Sequence, residues 1–251
     1  GIAGERLRIN SFYPPTSRGV SRPSTSARAL ARSKVISMFL LADAREILRI
    51  ISEDIRCERI MKIAVYCSAK DSVHERYKQM AARLGTWIGE HGHTLVYGGA
   101  TGGLMTSVSN AAKAAGATVV GVVPPRIIAA RRLADNCDEL VNADSMADRK
   151  AKMREIADCF ICLPGSYGTL DEMMDVVASG TVGEHKKPLY VYDYQGFYAD
   201  LKRQIRRMKA EAFIPAEESY TPVFVEHFQE LTEALDKYQE ALDWKAKCSK
   251  N

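Results

Sequence analysis

The sequence predicts a single α/β domain of the Rossmann-like class, in which a doubly wound parallel sheet carries helices on both faces. The first observation is that short apolar runs alternate with longer amphipathic stretches from residue 61 onward, as expected for strands that crossover helices bury on both faces. The second is size and composition. With 251 residues, 46% of them apolar and 26% charged, the chain suffices for one well-buried globular domain.

The apolar runs predict the strands in chain order, and the weakest of them is the fourth. The predicted strands are Lys62–Cys67, Thr94–Tyr97, Thr118–Val123, Glu139–Asn142, Asp158–Leu163 and Leu189–Tyr192. The predicted helices are Val73–His91, Leu104–Ala115, Met146–Ile156, Leu170–Ser179, Phe197–Met208 and Glu226–Leu242. Right-handed crossovers would join them into one open sheet, spanning residues 61–243 with a tail at 244–251. Ligands of such sheets bind in the loops that follow the strands.

Residues 1–60 are predicted to be an extension outside this domain. Residues 1–34 are rich in Arg, Ser and Pro and lack periodicity, a composition typical of disordered or targeting segments. An organellar transit peptide and a non-native extension upstream of Met61 both fit this composition, and the second is slightly favoured. Residues 35–59 are predicted to be a helix with no assigned function.

Charge and hydropathy exclude two classes of partner. The formal net charge is +4, and much of the positive excess lies in the first sixty residues. Because the remainder is nearly balanced, we expect no nucleic-acid partner. No apolar run approaches the roughly 20 residues that a bilayer span requires, so we expect no membrane partner.

The cysteines indicate a reducing compartment. Six of them are scattered through a chain too large to need disulfides, and several lie within apolar runs. Free thiols and a cytoplasmic location are therefore expected. Cys159 and Cys162 have CxxC spacing, but they lie in one predicted strand, where residues three apart point to opposite faces. We expect no metal site and no cofactor.

A glycine-rich loop follows the second predicted strand, in the segment Tyr97-Gly-Gly-Ala-Thr-Gly-Gly-Leu-Met105. Its glycines would let backbone N–H groups approach an anion at the start of a helix, where the helix dipole favours negative charge. A tight turn with close helix packing explains the same glycines. The spacing is neither GxGxxG nor that of a Walker A loop.

A second loop of this kind follows the fifth predicted strand, in Pro164-Gly-Ser-Tyr-Gly-Thr-Leu-Asp-Glu172. It fits a phosphate-binding turn, but a structural explanation is about equally good. Thr169 and Glu172 have the spacing of a capping box, with Thr169 as the helix N-cap. Asp171 in the first turn would also suit the helix dipole.

A basic pair begins the helix between these loops, in Met146-Ala-Asp-Arg-Lys150. Cations are unfavourable at a helix start unless a negative group is nearby, so Arg149 and Lys150 indicate such a group. By itself the pair fits a solvated surface. The two glycine-rich turns suit an anion, and they lie at the strand ends of one sheet with this basic pair beside them. Together they predict a phosphorylated ligand.

These segments resemble motifs of the Lonely Guy (LOG) family of cytokinin-activating nucleoside-monophosphate phosphoribohydrolases. The segment 164–172 resembles PGGxGTxxE, the segment 97–105 resembles GGGxxGLM, and Met146 with Arg149-Lys150 resembles MxxRK. Tyr66-Cys-Ser-Ala and Lys187-Pro188 match two further motifs. Relatives are often labelled lysine decarboxylases, but no lysine here has the context of a pyridoxal site.

The resemblance implies hydrolysis of the N-glycosidic bond of an adenine-type nucleoside 5′-monophosphate, without metal or cofactor, by a homodimer. It implies Glu172 as the catalytic carboxylate, with Arg149 as the second catalytic residue, which positions the nucleotide electrostatically because a guanidinium does not release its proton. It implies that the substrate is bound by Ser68, Gly98, Gly99, Thr101, Gly102, Met146, Lys150, Gly165, Ser166, Tyr167, Gly168, Thr169 and Asp171.

The sequence also departs from the family pattern. Ser166 replaces the second glycine of PGGxGT, and Ala100 replaces the third glycine of the other loop. After Glu172 the family's Thr-Trp pair is absent, and this region commonly helps to form the base pocket. Plain AMP or another purine nucleotide therefore remains an alternative to a prenylated adenine nucleotide. A nucleotide-binding or carrier protein without turnover is the alternative to an enzyme, and a purely structural module is a third reading.

Overall fold

The computed structural model describes residues 59–248. The extension predicted over residues 1–60, apart from its last two residues, lies outside this range, and so does residue 249 onward. Within the described range, none of the helices combines the length and the apolar character that a membrane crossing requires.

A seven-stranded sheet forms the centre of the described fold, with all neighbouring strands parallel. The strands are β1 (Lys62–Tyr66), β2 (Thr94–Tyr97), β3 (Thr118–Val123), β4 (Glu139–Asn142), β5 (Cys159–Cys162), β6 (Leu189–Tyr192) and β7 (Val223–Val225). Their order is β4-β3-β2-β1-β5-β6-β7. The chain therefore adds β2, β3 and β4 on one side of β1, and then adds β5, β6 and β7 on the other side.

Helices connect the strands and cover both faces. They are α1 (Glu75–Glu90), α2 (Gly103–Ala114), α3 (Pro125–Ala129), α4 (Met146–Ile156), α5 (Tyr167–Thr181), α6 (Ala199–Ala210) and α7 (Phe228–Cys248), with a 3₁₀ turn at Tyr194–Gly196. The predicted fold class is confirmed, and each of the six predicted strands is present. The sequence prediction missed β7 and α3, because three and five residues are too short to establish a period. The last helix continues to Cys248, beyond the predicted limit at Leu242.

The two faces of the sheet bury separate apolar cores. Ile63 and Val65 of β1 pack in one core with residues of α1, α2 and α7, whereas Ala64 and Tyr66 pack in the other with residues of α4 and α5. The same alternation puts Cys159 in the first core and Cys162 in the second. The prediction that these two cysteines point to opposite faces is confirmed.

The strand order reverses between β1 and β5, which are hydrogen-bonded neighbours. The loop after β1 turns toward β2, and the loop after β5 turns toward β6 on the other side. Because the two loops diverge, they leave a crevice at the carboxyl ends of these strands, where ligands of open α/β sheets bind.

Candidate active site

A cavity of about 190 Å³ lies at this crevice. Its walls come from the loop after β1, the start of α4 and the start of α5, with contributions from α2 and the segment after α3. The lining residues are Cys67, Ser68, Ala69, Lys70, Met105, Arg132, Met146, Arg149, Lys150, Ser166, Gly168, Thr169, Asp171 and Glu172. The basic helix start and the second glycine-rich loop therefore meet, as the sequence analysis required.

The structure divides the predicted site residues into two groups. Nine of them line the cavity: Ser68, Met146, Arg149, Lys150, Ser166, Gly168, Thr169, Asp171 and Glu172. The other six do not: Gly98, Gly99, Thr101, Gly102, Gly165 and Tyr167. Tyr167 projects outward and is 90% exposed. Most of the second group belongs to the first glycine-rich loop.

Sequence reasoning missed five lining residues, namely Cys67, Ala69, Lys70, Met105 and Arg132. Lys70 follows the end of β1, so its place after a central strand was a usable signal. Arg132 lies in an irregular connection that no periodic pattern identifies. Its Nη2 donates to the carbonyl oxygens of Ala69 (3.0 Å) and Thr101 (2.8 Å), which ties two loops together beside the cavity.

Glu172 and Arg149 form a buried ion pair on the cavity wall. Nη2 of Arg149 donates to Oε1 of Glu172 at 2.5 Å, and both side chains are about 6% exposed. Burial raises the pKa of the Glu172 carboxyl group to about 7, although the Arg149 guanidinium acts in the opposite direction. The carboxyl group can therefore gain or lose a proton near neutral pH.

The Nε–H group of Arg149 is buried and bonds to no acceptor within the described part of the chain. Nη1 of Arg149 makes only a long contact of 3.9 Å to the sulfur of Met146. Because an unpaired buried donor is costly, the contacts within the described residues leave this guanidinium incompletely satisfied.

The capping-box interpretation of Thr169 and Glu172 is wrong. Helix α5 begins at Tyr167 with Ser166 as its N-cap, so both residues lie inside the helix. Thr169 is buried with its side chain over Gly165, where a Cβ atom would come within 2.1 Å of the Thr169 hydroxyl. Glu172 bonds to Arg149 rather than to the helix start. The spacing satisfied the motif, but the helix begins three residues earlier than predicted, at Tyr167 instead of Leu170.

The start of α5 presents unbonded donors. Ser166 makes no side-chain cap, and within residues 59–248 no acceptor pairs with the backbone N–H groups of Tyr167, Gly168 or Thr169. A helix N-terminus in this state attracts an anion through its N–H groups and its dipole.

The start of α2 differs, because its N–H groups are already bonded. Gly102 donates to the Thr106 hydroxyl at 2.7 Å, Gly103 donates to the Asp71 carboxylate at 2.8 Å, and Leu104 donates to the Ser68 carbonyl at 2.9 Å. The amides of Gly102 and Gly103 are therefore not available to a phosphate, contrary to what the glycines suggested.

Lys150 forms a second, more exposed pairing between α4 and α5. Its ammonium group lies 2.8 Å from Asp171 and 3.5 Å from Asp175, and the hydrogen bond to Asp171 raises the pKa of Lys150. The negative group that the basic pair indicated is thus present, and it consists of the carboxylates of α5. These contacts align the start of α4 with the start of α5.

The fold and the cavity define the class of protein. It is an open parallel α/β protein with a cavity at the topological switch point of the sheet. A buried pair of a carboxylate and a guanidinium group lies there beside the N-terminus of α5. Within residues 59–248, no group of three or more His, Cys, Asp or Glu side chains is arranged to hold a metal ion.

Comparisons with known proteins identify the family. A family model described as "Possible lysine decarboxylase" matches residues 105–235. The cytokinin riboside 5′-monophosphate phosphoribohydrolase LOG of Oryza sativa subsp. japonica is 35% identical over 194 residues, covering 75% of this chain and 80% of that protein. The cytokinin riboside 5′-monophosphate phosphoribohydrolase of Mycobacterium tuberculosis is 41% identical over 141 residues, covering 56% of this chain and 74% of that protein. The chain belongs to the LOG family, and the resemblance drawn from its motifs is confirmed.

Solved structures agree on the fold. The molybdenum cofactor carrier protein of Chlamydomonas reinhardtii has a TM-score of 0.54 at 20% identity, covering 72% of this chain and 98% of that chain. The molybdenum cofactor binding protein of Rippkaea orientalis has a TM-score of 0.54 at 20% identity, covering 71% of this chain and 97% of that chain. At this identity the likeness concerns the fold alone.

Proposed function

We propose that the protein hydrolyses the N-glycosidic bond of adenine-type nucleoside 5′-monophosphates, either a cytokinin riboside monophosphate or AMP, to the free base and ribose 5-phosphate. The observation that carries the proposal is the buried Glu172 carboxyl group, whose pKa is about 7, held by Arg149 beside the open start of α5. Family membership with named phosphoribohydrolases supports the same reaction.

The start of α5 is the proposed phosphate site. A phosphate ester requires hydrogen-bond donors, and this helix start offers the N–H groups of Tyr167, Gly168 and Thr169 and the Ser166 hydroxyl, none of which has a partner among residues 59–248. Four basic side chains and two carboxylates line the cavity, which leaves an excess of two positive charges when all are ionised. A phosphate monoester carries about −1.5 to −2 charges at neutral pH, so it would balance this excess.

Glu172 is the proposed catalytic carboxylate. When the bond between C1′ and the base breaks, the base leaves with the electron pair and positive charge grows on the ribose. The Glu172 carboxylate stabilises that charge and takes a proton from the water molecule that adds to C1′. The departing base takes a proton from solvent, and Glu172 then releases its proton to solvent. A base with a pKa near the working pH is efficient in this role.

Arg149 is proposed to act by charge and hydrogen bonding. It holds Glu172 through Nη2, and its positive charge on the cavity wall attracts the anionic nucleotide. Asp171 is a candidate ribose-binding neighbour because it lines the same cavity and is held by Lys150.

The name of the matching family model suggests amine chemistry instead, and the geometry disfavours it. A pyridoxal mechanism requires a lysine that becomes neutral to form a Schiff base. Lys150, one of the two lysines that line the cavity, contacts two carboxylates that keep it protonated. The buried Glu172 carboxylate favours hydrolysis over amine chemistry.

A homodimer and a cytoplasmic location are part of the proposal. The cavity of about 190 Å³ is smaller than the roughly 300–1,000 Å³ typical of pockets that bury a small-molecule ligand. A second copy that completes the base site would remedy this, and light scattering on the purified protein tests it. The free state of the five cysteines within residues 59–248 fits a reducing compartment.

The direct test is a paired hydrolysis assay with AMP and isopentenyl-AMP, in which free base and ribose 5-phosphate are both quantified. The proposal requires the two products in equal amounts from at least one substrate, without added metal. Preference between the substrates decides whether the altered helix after Glu172 accepts a prenylated base.

A nucleotide-binding or carrier protein of the same fold is the alternative. Calorimetric titration with both nucleotides distinguishes it from the enzyme. Tight binding without release of base would select the carrier, and absence of both binding and turnover would overturn the nucleotide site as a whole.

A further inference from the structure

We propose that Gly98 is a positioning residue, whose missing side chain leaves the space that the Arg149 guanidinium occupies when it holds Glu172. This rests on the proposed roles of Glu172 and Arg149. Gly98 lies directly after β2, at the start of the first glycine-rich loop, and it does not line the cavity.

The spacing around Gly98 carries the inference. A Cβ atom at this position would lie 2.3 Å from Nη2 and 3.0 Å from Cζ of Arg149. Nη2 is the atom that donates to Oε1 of Glu172 at 2.5 Å. A methyl group at residue 98 and the observed ion pair therefore cannot occupy their places together.

The steric clash of a Cβ atom at residue 98 would disturb the ion pair between Arg149 and Glu172 more than the fold. The other nearby atom is the terminal methyl of Met105, at 3.3 Å, so both neighbours are the far ends of flexible side chains. Gly98 has no positive φ angle, unlike Gly99 (+62°), Gly102 (+112°) and Gly103 (+49°). Alanine therefore fits the backbone at residue 98, and the guanidinium is the group that must move.

This assigns the first glycine-rich loop a role that its composition did not suggest. Its first glycine acts on the proposed catalytic carboxylate through Arg149, from a buried position that does not line the cavity. A phosphate contact through the Gly98 amide is not required to explain why glycine stands there.

The test is the titration of the Glu172 carboxyl carbon by NMR in the full-length protein, because this measurement does not depend on turnover. Within the described residues, the charged and titratable groups that act on Glu172 are Arg149 and Lys150 of α4, Asp171 and Asp175 of α5, Tyr66 and Cys67 at the end of β1, and Cys162 of β5. Gly98→Ala is expected to raise the titration midpoint by about 1 pH unit relative to wild type, because it separates Glu172 from a neighbouring cation.

Two further variants make the test specific. Gly168→Ala places its methyl group in open space in the same site, so it should leave the Glu172 midpoint where it is in wild type. In an Arg149→Lys background, Gly98→Ala should add little shift, because the slimmer ammonium group lacks the branched guanidinium that the methyl group would meet. Equal midpoints in wild type and Gly98→Ala, or an undiminished effect in the lysine background, would overturn the proposal.

If Gly98→Ala alone does not fold, the double variant Gly98→Ala/Arg149→Lys decides the question. Recovery of a cooperative thermal transition would support a conflict with the guanidinium, and failure to recover would overturn it. If the wild-type protein releases no base from either nucleotide, the proposed function fails, while the NMR titration still decides the role of Gly98.

Discussion

The two glycine-rich loops at the carboxyl edge of the sheet are similar in sequence and opposite in structure. Both follow a buried strand and precede a helix, α2 in one case and α5 in the other. At the start of α2 the N–H groups of Gly102, Gly103 and Leu104 are bonded within the chain. At the start of α5 the N–H groups of Tyr167, Gly168 and Thr169 bond to no acceptor in the part of the chain that the structure describes.

The difference comes from the acceptors that neighbouring segments provide. The loop after β1 supplies the Ser68 carbonyl and the Asp71 carboxylate to α2, and it supplies no such acceptor to α5. The first loop is therefore a scaffold that fixes the cavity wall, and the second is the proposed anion site. A glycine-rich turn before a helix indicates an anion site only when nothing in the chain has already bonded its amides.

The largest expected effect concerns Glu172, on the open side of the comparison. Glu172→Gln keeps the shape of the side chain but removes the base, so kcat should fall by roughly 10²- to 10⁴-fold. Steady-state assays measure this, with nucleotide affinity followed by calorimetry. The matched control is Thr106→Val on α2, which deletes the hydroxyl bonded to Gly102 and should cost about 1 kcal/mol of stability with kcat retained. A kcat of Glu172→Gln near that of wild type would remove the carboxylate from the mechanism.

The pH profile should show the same carboxylate. Burial raises the pKa of Glu172 from its ordinary 4.5 to about 7. Because the ionised form is the base, kcat/KM should rise about tenfold per pH unit below 7 and level off above it. The profile of kcat/KM between pH 5 and 9 checks this. An acid limb near pH 4.5 would contradict the buried base.

Replacing one glycine in each loop by alanine should change the stability of the protein by different amounts. Gly103 has φ +49°, and a Cβ atom there would lie 2.5 Å from the Lys70 carbonyl oxygen, which is rigid backbone. Gly103→Ala should therefore lower the free energy of unfolding by about 1–3 kcal/mol. Gly168→Ala meets no atom within 4 Å and should change it by less than about 0.5 kcal/mol. Urea denaturation compares the two variants, and equal losses would refute the distinction.

The smallest expected effect is the difference in stability loss between two N-cap serines, Ser145 of α4 and Ser166 of α5. Ser145 caps α4 by accepting a bond from the Asp148 N–H group at 3.1 Å, so Ser145→Ala should cost about 1 kcal/mol. Ser166 makes no cap bond, so Ser166→Ala should cost less than about 0.5 kcal/mol and weaken nucleotide binding instead. Thermal melts and calorimetry measure the two effects. A full capping loss at Ser166, with unchanged nucleotide affinity, would place its hydroxyl in the fold rather than the site.

Much of the fold followed from local pattern. The apolar runs located β2, β3 and β6 with the observed bounds, because strands buried on both faces read as continuous apolar segments. The weaker prediction for β4 also had the observed bounds, although this strand is largely exposed. Short elements such as β7 did not follow, since three residues hold no period. The sequence prediction placed the start of α5 too late, because a capping-box spacing fitted residues that lie one turn inside the helix.

The sequence by itself determined the α/β class, the family motifs and the residue types at the site, because these depend on neighbours along the chain. Only the tertiary structure decided that Arg149 meets Glu172, that Lys70 and Arg132 join the cavity, and that the amides of Gly102 and Gly103 are bonded within the chain. These contacts join segments that lie far apart in sequence. They depend on strand order and on which loop supplies an acceptor, and neither is encoded in a local pattern.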